Sequence, residues 1–113
     1  MNTEIVRAED VIGVEVANQQ GENLGEIKEL MLDKINGQVA YVVLSFGGFL
    51  GMGNKLFALP WHMFSYNQPQ GKFIINVAKD KLEKSPGFDK DHWPEMSSPY
   101  WTQTVNQYYA RHH

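Results

Sequence analysis

The chain has 113 residues, with 10 Lys+Arg against 13 Asp+Glu and a net charge of -3 at pH 7, which leaves room for one domain and no basic footprint for nucleic acid. Its hydrophobic fraction of 42% is that of a folded domain and not of a disordered chain. It has no cysteine, which excludes disulfides, thiolate nucleophiles, zinc fingers and iron–sulfur clusters.

In chain order, residues 11–16 alternate Ile12, Val14 and Val16 with Gly13 and Glu15, the period of a half-buried strand. A turn over 18–23 follows, and then a second strand over 24–33. Its apolar positions Leu24, Ile27 and Leu30 are out of phase, which fits either a helical stretch or a strand with a bulge near Lys28-Glu29 that re-aims the side chains; the bulge is preferred, because a small barrel needs bent strands to close. Asn36-Gly37 predicts a tight type I′ hairpin. The third strand, 38–46, is apolar on both faces: Val39, Tyr41 and Val43 against Ala40, Val42, Leu44 and Phe46. A glycine-rich loop over 47–54 leads to a fourth strand, 55–61, again apolar on both faces, with Pro60 expected at an edge or strand end. Residues 62–66 read as one helical turn and 67–71 as a turn. A fifth strand over 72–77 points Phe73, Ile75 and Val77 inward. Residues 79–84 read as a short helix and 88–94 as an extended arm. Ser98-Pro99 is a helix start, N-cap then proline at N1, followed by Trp101, Val105, Tyr108 and Tyr109 on one helical face.

The first ten residues carry neither a basic n-region nor an apolar h-region, so no secretory signal is expected. The longest apolar run, 39–44, is far short of the ~20 residues that span a bilayer. A cytoplasmic protein is the expectation.

Five pieces in this order and spacing resemble the PRC-barrel domain family: Val11-Ile12-Gly13, Gly21 followed by Leu24-Gly25-Glu26-Ile27, Asn36-Gly37-Gln38-Val39, Leu44-Ser45-Phe46-Gly47-Gly48, and Lys55-Leu56-Phe57-Ala58-Leu59-Pro60-Trp61. The family is named for a small β-barrel shared by the cytoplasmic part of the photosynthetic reaction-centre H subunit and the C-terminal half of the ribosome maturation factor. The resemblance covers about residues 8–80. The tail around Phe88, Trp93 and Trp101 is similar to the extension of stand-alone bacterial members. The resemblance implies a compact barrel that works through protein contacts, and it implies no catalytic residues.

Read for chemistry, the residues offer little. The glycine-rich loop is followed by a strand and not a helix, so it lacks the build of a phosphate loop. Asp89, Asp91 and His92 lie too close in sequence to surround a divalent ion well. His62 and Ser65 lack a nucleophile elbow. The apolar surplus says more. A barrel interior covers one face of each strand, so the outer faces of the third and fourth strands need the C-terminal helix or a second subunit.

The fold expected is therefore mainly β: a five- or six-stranded antiparallel PRC-type barrel over residues 1–80, with a C-terminal extension over 81–113. The function expected is a non-enzymatic interaction or assembly module that uses no cofactor or metal. It would form a homo-oligomer, a dimer first, and dock on a protein partner. Its candidate interface is Phe49, Leu50, Met52, Trp61, Trp93, Trp101 and Tyr108. The alternatives are a ribosome- or RNA-associated maturation-type factor and a small-ligand or metal-binding protein.

Overall fold

The computed structural model describes residues 4–47 and 54–112. In chain order these form α1 (Ala8–Val11), β1 (Glu15–Ala17), β2 (Asn23–Asp33), β3 (Gln38–Gly47), β4 (Asn54–Pro60), a 3-10 turn (Trp61–Met63), β5 (Ser65–Asn67), β6 (Lys72–Ile74), α2 (Lys79–Glu83), β7 (Gly87–Phe88) and α3 (Pro99–His112). All strands join one sheet in the order β5-β6-β1-β2-β3-β4-β7.

This corrects the expected barrel in three respects. The sheet has seven strands, its two edges β5 and β7 do not pair with each other, and β6 runs parallel to β1. The extra strands are β5, whose residues read in sequence as part of a helical turn and a turn, and β7, which reads as extended arm. Both draw their extended form from a neighbour's ladder: β5 from β6, and β7 from β4 through Leu56↔Phe88. The parallel pair arises because the β5–β6 hairpin returns the chain along the outer edge of β1. Val16 meets Phe73 there, and the Ile75 N–H donates to the Ala17 carbonyl at 3.0 Å. The first predicted strand also starts later than expected, because Ala8–Val11 closes a helical turn.

Bulges bend β2. Between Ile27 and Glu29 two steps on β2 oppose one on β3, so Lys28 is the extra residue, where the phase break placed it. A second irregularity lies at Leu24-Gly25, where three steps on β2 oppose two on β1. It lets Leu24 and Ile27 both point into the core. Gly25 has φ 101°, and a Cβ built there would lie 2.1 Å from the Ser45 carbonyl oxygen. Only glycine fits that position. A third bulge falls on β3 at Ala40.

The β2–β3 hairpin lies where Asn36-Gly37 predicts it, but its turn is different. Asp33 pairs with Gln38, and residues 34–37 form a four-residue loop closed by the Gly37 N–H donating to the Asp33 carbonyl at 2.9 Å. The Asp33 carboxylate holds the loop, accepting at Oδ1 from the Ile35 and Asn36 N–H groups, both at 3.0 Å. A side chain that satisfies two loop donors favours this turn over the two-residue alternative.

The two-faced apolar reading of the central strands holds from Tyr41 onward, while Val39 is half-buried and Ala40, the bulge residue, is exposed. Every residue from Tyr41 to Phe46, and Leu56, Phe57, Ala58 and Leu59, is buried. Successive residues face opposite sides, so both sides are covered. The cover comes from the same chain. Ser98 caps α3, its Oγ accepting from the Tyr100 N–H at 3.2 Å. The helix packs against β4, and Val105 and Tyr109 join Leu82 and Phe88 in one core with Val42 and Leu59. Tyr108 ties the helix to α2 by donating its hydroxyl to the Lys81 carbonyl.

Burial raises the Tyr109 phenol well above its ordinary pKa. A hydrogen bond with Ser85 opposes the shift, and the adjacent Tyr108 adds to it. A folded-state pKa above the unfolded one gives stability that is complete below about pH 10 and lost as pH rises beyond it. Denaturant melts between pH 8 and 11 should show that alkaline decline, and Tyr109→Phe should flatten it. An unchanged decline in the variant would assign it to other groups.

Candidate functional site

Two open grooves flank the β2–β3 hairpin, and Leu32 borders both. The larger, a cleft of about 1400 Å³, lies between the N-terminal segment and the β5–β6 hairpin. Its floor is aromatic. The 3-10 turn after Pro60 swings Trp61 back over β6, so that Trp61 lies 6.0 Å from Phe73 and stacks on Phe64 at 6.3 Å. Tyr66 of β5 meets Phe73 edge-on at 5.0 Å. Phe73 is buried, whereas Trp61 and Tyr66 remain 36% and 48% exposed. Ile5, Val6 and Leu32 line the walls, all exposed. The charged lining is Glu4 and Asp10, and Arg7 pairs with Asp10 at 3.4 Å.

The smaller groove, about 910 Å³, runs between the β2–β3 hairpin and α3. Met31, Met63 and Met96 line it with Tyr41, and His62 opens onto it. Ser65 lines the larger cleft instead, so the structure does not bring His62 and Ser65 into one site. Asp89 and His92 form a loose exposed pair at 3.9 Å. Among the described residues no group of three or more His, Asp or Glu side chains is placed to hold a metal ion.

The candidate interface residues fall in separate places. Phe49, Leu50 and Met52 lie outside the described residues. Trp61 is in the cleft. Trp93 packs on Phe88 at 5.1 Å and stays 40% exposed. Trp101 meets Phe88 at 6.0 Å and is half-buried, its Nε1 lying buried with no hydrogen-bond partner among the described residues. Tyr108 is half-buried against Tyr109. Trp93 and Trp101 thus meet at Phe88 of β7 and Tyr108 ties α3 to α2, whereas Trp61 packs with Phe64 and Phe73. Sequence reasoning missed Ile5, Val6, Leu32 and Tyr66. The one signal for them was that Tyr66 lies five residues from Trp61 in a run rich in aromatics.

A family model for the PRC-barrel domain matches residues 3–82. The chain belongs to the PRC-barrel domain family. No curated protein matches it. All residues lining the larger cleft, from Glu4 to Ile74, lie inside the PRC-barrel match. The strand β7 and helix α3 lie beyond it. The PRC-barrel segment therefore carries the open cleft, while the extension supplies the cover for β4. Among the described residues no helix is long and apolar enough to cross a membrane.

Proposed function

We propose that this PRC-barrel protein is an interaction module that docks a protein partner in the Trp61–Tyr66 cleft and performs no chemical step of its own. The observation that carries this reading is the aromatic floor left open to water in a chain that otherwise buries both faces of its central strands. Partly exposed Trp and Tyr on a fixed apolar base have the composition of interface hot spots. Glu4 and Asp10 on the rim would repel a phosphate backbone, which favours a protein partner over RNA.

The test is capture from a lysate of the source cells with the immobilised full chain. Leu32→Asp and Tyr66→Asp should each reduce the captured partner about tenfold or more. Tyr100→Ala, at an exposed position on α3 away from the cleft, should leave capture unchanged. Equal capture by all four proteins, or no capture by the wild type, would overturn the proposal.

A further inference from the structure

We infer that an occupant of the Trp61–Tyr66 cleft is the β2–β3 hairpin tip of a second copy of this chain, in a two-fold dimer. This rests on the docking reading above and names the partner.

The tip has the form of a preorganised knob. The Asp33 carboxylate clamps the loop, with its Oδ2 accepting from Asn36 Nδ2 at 2.7 Å, and these hydrogen bonds hold its pKa below the usual carboxylate value. On this rigid loop Ile35 stands 85% exposed, an unusual position for a large aliphatic side chain. A rigid apolar tip loses little conformational entropy on insertion.

The tip itself lines the smaller groove, and knob and cleft meet at Leu32, which borders both grooves. Leu32, 71% exposed, borders the cleft and lies three residues before Ile35 on the same hairpin. A two-fold interface needs both complementary features on one patch, so that each copy offers its tip and receives the other's. The charges agree. The tip carries Lys34 and the cleft wall Glu4, and neither has an ion pair among the described residues. The area is sufficient as well. The exposed parts of Ile5, Val6, Leu32, Ile35, Trp61 and Tyr66 sum to on the order of 700 Å², close to the ~800 Å² that each partner buries in a stable interface.

The experiment is sedimentation velocity on the full chain from low micromolar to about 200 µM. The wild type should dimerise. Ile35→Asp should weaken the dimer about tenfold or more. Lys34→Glu and Glu4→Lys should each weaken it about threefold, and the double variant should restore it. All three positions are exposed, so circular dichroism and melting temperature should stay at wild-type values. A wild type monomeric throughout, a dimer indifferent to Ile35→Asp, or a double variant weaker than either single one would overturn the inference. The docking reading would survive any of these, since it falls only on the capture experiment with Leu32→Asp and Tyr66→Asp.

Discussion

Gly25→Ala is expected to lower stability by about 4 kcal/mol or more, or to abolish folding, although it adds a single methyl group. Two effects add. The backbone at Gly25 has φ 101°, which opposes any L side chain by about 1–2 kcal/mol. The new Cβ would also lie 2.1 Å from the Ser45 carbonyl oxygen, a backbone atom that cannot turn aside. Relief requires β2 and β3 to separate at the position where the bulge aims Leu24 and Ile27 inward. Gly21→Ala is the control. Gly21 has φ 85°, and a Cβ there would meet nothing within 4 Å, so this variant should show only the conformational part, about 1–2 kcal/mol. Urea denaturation of both variants separates the two effects. Equal losses would show that the close approach to Ser45 contributes nothing.

The second large effect is expected from Val105→Asp. Val105 is fully buried on α3, in the core that covers β4. A carboxylate there has no partner among the core residues, and its burial costs several kcal/mol unless the helix lifts away. Lifting exposes apolar side chains of β4. Against a total of about 5–15 kcal/mol for an ordinary domain, a loss of about 3–5 kcal/mol should leave the variant partly unfolded and prone to aggregate. Gln107→Asp, two residues on at an exposed position, should change stability by less than about 0.5 kcal/mol. Denaturant midpoints and light scattering together make the measurement. A Val105→Asp protein that melts like the wild type and stays monodisperse would mean that α3 does not seal the sheet.

What could be read from the residues was whatever repeats with a local period. Residues 41–46 showed two apolar faces, and both are buried. Phe73, Ile75 and Val77 alternated, and all three point inward. The phase break around Lys28 marked a bulge, and Ser98-Pro99 marked the start of α3. Elements held by distant partners were not legible. The strand β7 is two residues long and β5 three, too short to show any period, and each is extended because a neighbour pairs with it. The parallel contact between β1 and β6 joins residues more than fifty positions apart and leaves no local trace. Asn36-Gly37 located the hairpin, but the turn type depended on the Asp33 carboxylate, which sequence pattern alone did not weigh.

The site was harder to read for the same reason. Its walls come from the N-terminal segment, β2 and β5, and among the described residues of the candidate interface only Trp61 lies in it. An apolar residue such as Ile5 or Leu32 looks in sequence like any core residue. Only its exposure in the folded chain, 95% for Ile5, separates it from the core. Conversely, Trp101 and Tyr108, singled out for their size, spend much of their surface on the seam between α3 and the rest of the chain.

The division of roles between a self-sealed sheet and an open cleft is tested most directly by amide hydrogen exchange on the full chain at two concentrations. Dilute, monomeric protein should already show slow exchange across residues 42–46 and 56–59, because neighbouring strands pair with β3 and β4 and α3 of the same chain packs on β4. Raising the concentration should add protection only around the cleft and the hairpin tip, residues 61–67 and 32–37. Protection of β3 and β4 that develops only as the protein is concentrated would contradict this. Their cover would then come from another molecule, and the cleft would lose its claim to be the docking surface.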